Sequence, residues 1–404
     1  MIDYAGLNID NPLDPDKEII VILFKYPQRW NIHVVQILEI NFNVYYGYFM
    51  DYYQRLGTLG LCDLLQAMRR DLKCRALLMD PEWGDLINVA VVELFDRILP
   101  VGLMFFDDST MHDYNRVLAS KASFVLVHCP VGLFKYGELD IPAAQFFPIS
   151  QKLYIPKIAT PEYDVLWFGY AAKADRPEFV SKLEALTDIK VKIYTGQNKE
   201  NAASGDLSWQ ELADLIASAK IIVNLSRSDF PLRCHSYTSL PRAEVFQFSG
   251  RIIEAGYCGR LCISQYAPHH AFGGLLTYLP EFRTPDEMAD LIRAILRSER
   301  LEELTAQFCS YINSQYNNQI FADNAKALIE MTSHSHWRYV TRVNQNYYNL
   351  AATAIQGFPY ADEMRRETEM ELLNKTSTRV SLNFVAPGEN PPQDSRRKIF
   401  VQRD

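Results

Sequence analysis

Short apolar segments alternate with amphipathic helical patterns along this chain, in two successive series. The run Ile19–Phe24 is continuously apolar and rich in β-branched residues, as expected of a strand buried on both faces. Strands separated by helices return in the same direction, so the pattern predicts parallel, doubly wound sheets. Other strand candidates of the first series are 75–80, 101–106 and 123–127, and helices are expected over 51–71 and 86–99.

The two series are separated by a segment that contains Pro148, Pro156 and Pro161 and has no clean period. The chain has 404 residues, more than the roughly 250–300 at which a single core stops growing. We therefore predict an α/β protein with two Rossmann-like domains, residues 1–155 and 156–331, that face a cleft. A helical segment, 332–373, and a proline-containing basic tail, 374–404, follow them.

The second series carries two clear helix starts. Ser208-Trp209-Gln210-Glu211 and Thr284-Pro285-Asp286-Glu287 both have the spacing of a capping box. Strands are expected at 165–169, 189–193 and 221–226, a helix near 177–186, and helices again over 301–331.

The charge and cysteine pattern narrows the possible partners. A net charge of −8 argues against nucleic acid as a partner of the whole chain. Seven cysteines without paired spacing indicate free thiols in a reducing compartment. No apolar run approaches the roughly 18 residues of a membrane span, so a cytoplasmic location is expected. The basic tail is either a peripheral membrane or partner anchor, or a loosely ordered terminus.

Two common nucleotide motifs are missing from the sequence. No G-x-G-x-x-G follows the first strand, and no G-x-x-x-x-G-K-[ST] occurs. A dinucleotide-dependent dehydrogenase and a P-loop NTPase therefore lose their main support. No zinc-like ligand spacing is present either, and we predict no metal and no tightly bound cofactor.

The segment Ser249–Gly259 predicts a helix that carries Glu254 and is closed by a glycine, ahead of a strand at 261–264. A carboxylate on such an apolar helix needs a partner, and the two hydroxyls of a ribose would supply one. Taken alone, the segment favours an exposed surface glutamate.

The second half resembles the donor-binding domain of GT-B-fold glycosyltransferases, in particular the group 1, spore-maturation-protein-like type. The resemblance covers roughly residues 160–330. It is carried by the order of the elements and by Arg251-x-x-Glu254-Ala255-x-x-Cys258-Gly259 after a strand ending in Asn224-Leu225-Ser226. The first half matches weakly, through the acidic turn Phe105–Ser109.

The resemblance implies roles for individual residues. Glu254 would accept hydrogen bonds from the donor ribose, and Arg251 would contact phosphate or pair with Glu254. Gly169 would let a backbone amide approach the diphosphate, or it is a plain strand-end turn. Lys173 and Arg176 would stabilise the leaving diphosphate, or are solvated charges at a helix start. Asn224 and Ser226 stand at the end of the strand expected at 221–226. They are expected to point into the cleft.

Three residues are candidates for the chemical step. Asp108 could be the base that deprotonates an acceptor hydroxyl, although capping of the next helix is the alternative role. Asp229 could be a nucleophile or stabiliser and His235 an acid/base, unless they only shape their long loop. Retaining relatives carry two glutamates spaced E-x7-E, but position 246 is Phe246. The stereochemical outcome is therefore left open.

These inferences predict a hexosyltransferase-like enzyme that moves a sugar from a nucleotide-sugar donor to an acceptor hydroxyl. The setting would be bacterial glycan or polysaccharide synthesis. A UDP- or GDP-sugar is the expected donor, with a CMP-sugar left open. The acceptor is a glycan, a lipid-linked molecule or a protein. The alternatives are a sugar-nucleotide epimerase of GT-B fold and a non-catalytic GT-B-like scaffold that binds a glycan or partner.

Overall fold

The computed structural model describes residues 7–81, 87–106, 108–158, 160–171, 175–195, 207–227 and 246–334. The chain forms two compact units. Among the described residues, the first unit contains 7–31, 38–146 and 321–334. The second contains 32–37 and the described part of 147–320. The division at Phe147 falls earlier than the expected boundary at 155, and the chain returns to the first unit at Phe321.

The first unit is built on a six-stranded parallel sheet. Its strands are β1 (Glu18–Phe24), β2 (Phe42–Tyr48), β3 (Leu77–Met79), β4 (Val101–Phe105), β5 (Phe124–Val127) and β6 (Ala143–Gln145). Their spatial order is β2-β1-β3-β4-β5-β6. Strand β2 lies on one side of β1 and the later strands lie on the other, so the direction in which strands are added to the sheet reverses between β1 and β3. Helix α1 (Asn31–Leu38) connects β1 and β2, but its residues 32–37 belong to the second unit. The other connecting helices are α2 (Phe49–Asp71), α3 (Val89–Asp96), α4 (Asp108–Ala119) and α5 (Pro130–Glu138).

The sequence predicts one apolar stripe along α2, formed by Leu56, Leu59, Leu64, Leu65 and Met68, and the structure departs from it. The second half of α2 buries Leu64, Leu65 and Met68 as expected, but Leu56 and Leu59 are 44% and 77% exposed. The reason is Gly57, whose φ of 64° and ψ of −177° interrupt the helix. The two halves therefore do not share one continuous face, and a stripe counted across Gly57 was wrong for the first half.

The second unit holds a five-stranded parallel sheet. Its strands are β7 (Tyr163–Phe168), β8 (Val191–Tyr194), β9 (Ala219–Asn224), β10 (Leu261–Gln265) and β11 (Glu281–Phe282). In the order β11-β10-β9-β7-β8, β8 lies on one side of β7 and the later strands lie on the other. The switch point, where the direction of strand addition reverses, therefore falls between β7 and β9. The helices are α6 (Arg176–Glu184), α7 (Trp209–Ala217), α8 (Gly250–Tyr257), α9 (Pro285–Arg297) and α10 (Leu301–Gln315). Helix α11 (Asn318–His334) follows, and from Phe321 onward it belongs to the first unit. The predicted pair of doubly wound parallel sheets is confirmed.

The two predicted helix caps differ in detail. Ser208 and Glu211 form the complete reciprocal capping box at the start of α7. At α9, the Thr284 hydroxyl accepts the N–H of Glu287 at 3.2 Å as predicted. The Glu287 carboxylate, however, accepts the N–H of Arg283 at 2.7 Å. The glutamate bond of the box at α9 is thus displaced by one residue, from the N–H of Thr284 to that of Arg283.

The described cysteines are free thiols, five of them buried. Across the ranges that the structure describes, no helix is long and apolar enough to cross a membrane. The predicted helical segment 332–373, beyond the end of α11 at His334, and the basic tail 374–404 lie outside the described residues.

Gly256 is where α8 packs most closely against α10. A Cβ at this position would lie 2.6 Å from Cβ and Cγ2 of Ile312. We expect Gly256→Ala to lower the free energy of unfolding by about 1–3 kcal/mol, because neither helix backbone can move freely. Chemical denaturation measures this loss.

Gly259 provides the matched control on the same connection. It has open space around its Cα but a φ of +70°, so Gly259→Ala costs only the left-handed backbone term, about 1 kcal/mol. Equal stability of the wild type and Gly256→Ala would contradict the close packing.

Candidate nucleotide-binding site

The predicted helix with Glu254 is present as α8. The Ser249 hydroxyl caps it by accepting the N–H of Arg251 at 3.3 Å, and Gly259 ends it in a left-handed conformation. Strand β10 follows directly and lies in the sheet beside β9. Helix α8 therefore begins near the carboxyl edge of the second sheet, where doubly wound folds bind ligands.

Arg251 lies against the end of β7. Its guanidinium carbon is 5.2 Å from the centre of the Phe168 ring. A Cβ on Gly169 would be 2.4 Å from one guanidinium nitrogen, so the cation fits only because residue 169 is glycine. Gly169 also has a φ of +144°, which favours glycine.

The Arg251 guanidinium is short of partners within the described part of the chain. Its Nε is inaccessible to solvent and has no hydrogen-bond partner there. Burial lowers the pKa of Arg251, and the charge of Glu254 one turn later opposes this shift. A desolvated cation that lacks a full set of acceptors is a favourable place for an anion.

Glu254 is not the exposed surface residue that its segment alone allowed. It is half-buried, and the Tyr154 hydroxyl donates to its Oε1 at 2.6 Å. The Tyr154 side chain belongs to the segment just before β7 and is itself buried. One oxygen of the Glu254 carboxylate therefore has a fixed direction.

Asn224 and Ser226 join strand ends to one another. Asn224 Nδ2 donates to Ser264 Oγ at 2.8 Å, and Ser226 Oγ donates to the carbonyl of Gln265 at 3.0 Å. Both side chains are buried. These bonds hold the end of β9 against the end of β10, so both residues build the edge at which α8 begins.

Arg176 is also engaged by the protein. Its buried guanidinium donates to the carbonyls of Tyr170, Leu225 and Arg227 at 3.2–3.4 Å. These carbonyls belong to the loops that follow β7 and β9, on the two sides of the switch point. The contacts make Arg176 a clamp between two loops.

Asp175 links the same loops to β10. Its Oδ2 accepts Arg227 Nη1 at 3.1 Å and Gln265 Nε2 at 2.7 Å. The backbone N–H of Arg227 also donates to Gln265 Oε1 at 3.1 Å. The sequence analysis did not single out Asp175 or Gln265. Their position directly before a helix and at the end of a buried strand was the available signal.

Three of the predicted site residues, Lys173, Asp229 and His235, lie outside the described residues. Phe246, which stands at the first position of the E-x7-E spacing, pairs with Arg227 in an antiparallel bridge, and its ring centre is 5.8 Å from that guanidinium. The first glutamate of the E-x7-E pattern is therefore replaced by Phe246, whose ring lies beside the guanidinium of Arg227.

Asp108 begins α4 in the first unit and is completely buried. Its carboxylate accepts from Tyr136 Oη at 2.7 Å and from Asn115 Nδ2 at 2.9 Å. His112 Nδ1 is 3.2 Å from its other oxygen. These contacts tie the first turn of α4 to α5.

Other buried polar residues follow the strands of the first sheet. Lys25 follows β1, Asp80 follows β3 and His128 follows β5, and each is at most 5% exposed. The sequence analysis named none of them, although each stands directly after an apolar run. Together with Asp108 they place buried polar side chains at the carboxyl edge of this sheet. Within the described ranges, no group of three or more His, Cys, Asp or Glu side chains is arranged to hold a metal ion.

Comparison with known proteins assigns a class to this arrangement. Residues 176–327 match the family model described as glycosyl transferase-like. A glycosyltransferase from Rickettsia africae is similar in structure over 79% of this chain and 100% of its own, with 12% identity and a TM-score of 0.52. No curated protein matches the sequence.

Two further solved structures are similar at lower TM-scores. The Anabaena protein HepE in complex with UDP is 11% identical, with 78% of this chain and 100% of that chain covered and a TM-score of 0.49. Sucrose-phosphate synthase from Thermosynechococcus elongatus is 12% identical, with 78% and 99% covered and a TM-score of 0.48.

The fold is therefore that of GT-B glycosyltransferases, with two Rossmann-like domains. Residues 176–327, which include α8 and the residues around Asn224 and Ser226, form a glycosyl transferase-like domain. The predicted glycosyl transferase-like domain is confirmed over residues 176–327, whereas the spore-maturation-protein-like type stays a prediction.

Proposed function

We propose that this protein transfers a sugar from a nucleoside diphosphate sugar, bound at the carboxyl edge of the second sheet, to an acceptor hydroxyl. The observation that carries the proposal is the guanidinium of Arg251, packed on Gly169 at the end of β7 one turn before Glu254. A cation and a carboxylate one helical turn apart match the diphosphate and the ribose of one nucleotide.

Arg251 would bind the diphosphate. Its charge is desolvated by the protein, so an anion gains more there than in water. When the bond from the sugar to the diphosphate breaks, negative charge grows on the leaving phosphate oxygen. A cation held in place before the reaction stabilises that charge without reorganisation. Gly169 supports this role, because any larger residue would displace the guanidinium.

Glu254 would accept hydrogen bonds from the ribose hydroxyls. Bonds from neutral hydroxyls to a carboxylate are charge-assisted and orient the ligand. We extend the proposal to Lys173 as a second diphosphate contact and to Asp229 and His235 as residues near the sugar. Asp108 and the other polar residues after the strands of the first sheet would serve the acceptor.

UDP- and GDP-sugars are the donors proposed here, as the sequence resemblance implies. A CMP-sugar is the third donor to test, and bacterial glycan synthesis is the proposed setting. Phe246 at the position of the missing glutamate keeps both inversion and retention open.

Thermal unfolding with UDP, GDP and CMP tests donor binding. The correct nucleotide at about 100 times its Kd stabilises the folded protein by about 2.7 kcal/mol. No stabilisation by any of the three contradicts the proposal. Incubation with the sugar donor alone then separates the rivals, since an epimerase converts it without an acceptor and a transferase does not.

Glu254→Ala should weaken binding of the stabilising nucleotide roughly 10- to 100-fold, because one or two charge-assisted hydrogen bonds of about 1.5 kcal/mol each are lost. Isothermal titration measures the change. Glu302→Ala, at an exposed position of α10, is the matched control and should bind normally. Unchanged affinity in Glu254→Ala, with partner binding retained, would favour the scaffold alternative.

A further inference from the structure

We propose that Tyr154 is a positioning residue that directs the Glu254 carboxylate toward the nucleotide ribose, so that the site selects ribonucleotides over nucleotides without ribose hydroxyls. This inference rests on the proposed function, because it assigns Glu254 to the ribose. It adds a residue that neither the motif around Glu254 nor the family match includes, since Tyr154 precedes the matched range 176–327.

The first step is the contact itself. Tyr154 Oη lies 2.6 Å from Glu254 Oε1, a short distance typical of a hydroxyl that donates to a charged oxygen. A tyrosine hydroxyl can donate one hydrogen bond, and here the acceptor is the Glu254 carboxylate. The bond spans 100 residues of sequence and joins the segment before β7 to the middle of α8.

The second step is that the Tyr154 side chain is held in place by its own packing, independently of Glu254. The side chain of Tyr154 is 2% exposed. The ring stacks on His33, with centres 5.9 Å apart and planes at 18°, and Trp209 lies 6.0 Å away. His33 is fixed in turn, since its Nδ1 accepts the N–H of Ser150 at 2.9 Å.

The third step concerns the free protein. A glutamate on a helix has several rotamers, and a ligand that needs only one of them must order the side chain on binding. A fixed Tyr154 hydroxyl selects the rotamer beforehand, so the ribose meets a carboxylate already in place. Removing the Tyr154 hydroxyl leaves the charge of Glu254 unchanged, but the carboxylate is no longer held in one rotamer.

Tyr154→Phe tests this, because it keeps the ring and its stacking and removes only the hydroxyl. The probes are UDP, GDP and CMP, each beside its 2′,3′-dideoxy form, with affinities measured by isothermal titration. For the nucleotide that the wild type binds, we expect Tyr154→Phe to weaken the ribose form about 10-fold and the dideoxy form less than 2-fold. The same substitution in a Glu254→Gln background should have no further effect on either form.

Tyr257→Phe is the matched control. Tyr257 is also buried, and its ring lies 6.5 Å from that of Tyr154, but its hydroxyl donates to the carbonyl of Tyr316. It should not change the ratio of the two affinities. An equal loss for both forms in Tyr154→Phe, or no loss, overturns the positioning role while nucleotide binding stands. A wild-type protein that binds none of the probes overturns the proposed function itself.

Discussion

Arg251→Met should weaken binding of the donor nucleotide by about 100-fold or more and leave the protein as stable as before, or more stable. The loss of affinity follows from two charge-assisted hydrogen bonds to the diphosphate, each worth roughly 1.5–3 kcal/mol. The stability follows from desolvation, because Arg251 is a cation whose pKa is lowered by burial and whose Nε has no partner among the described residues. An apolar side chain of similar length removes that cost, a gain on the order of 1 kcal/mol.

The combination of the two results identifies a binding residue. Titration with the nucleotide gives the affinity, and chemical denaturation without it gives the stability. Arg260→Met is the matched control, since burial also lowers the pKa of Arg260 but its Nε donates to the carbonyl of Ala217. Arg260→Met should lose stability and keep its affinity. A large loss of stability in Arg251→Met would show that this cation serves the fold.

Asp108→Ala should destabilise the first unit by about 3 kcal/mol. The substitution leaves the hydroxyl of Tyr136 and the amide of Asn115 buried without their acceptor, and His112 loses its neighbour. Unsatisfied buried donors cost roughly 1–3 kcal/mol each, with partial relaxation. At about 2–4 °C per kcal/mol for a unit of this size, the unfolding transition should fall by roughly 6–12 °C.

Asp63→Ala on the exposed face of α2 is the control and should leave the transition unchanged. Asp108→Asn keeps an acceptor and should fall in between. If Asp108→Ala instead retains its stability and loses only turnover, the carboxylate acts on the acceptor hydroxyl, as a base would.

The sequence was most informative where one local rule decides the structure. Strands β1, β4, β7 and β9 contain the apolar runs 19–24, 101–105, 165–168 and 221–223, and the Ser208 cap follows from side-chain chemistry alone. Strands β2 and β6 and helices α1 and α5 were not predicted. Strand β6 has three residues, Ala-Ala-Gln, and is held in place by its pairing with β5 rather than by its own preference.

The candidate site was predictable only in part, because a motif gives a residue's place in the chain and not its neighbours. The motif identified Arg251 and Glu254. It could not show that Tyr154 bonds to Glu254, a contact across 100 residues. Arg176 was a candidate phosphate ligand because it follows Gly169 closely in the chain, and only the structure shows its three carbonyl partners.

Arg176 and Asp175 together bind the described residues of the loops after β7 and β9 to one another and to the end of β10. The conformational entropy of these bonded residues is therefore lost when the protein folds, and not when a nucleotide arrives. A ligand that meets loops already ordered keeps more of its interaction energy as affinity. Consequently, weakening this network should slow association or reduce affinity even though neither side chain needs to contact the nucleotide.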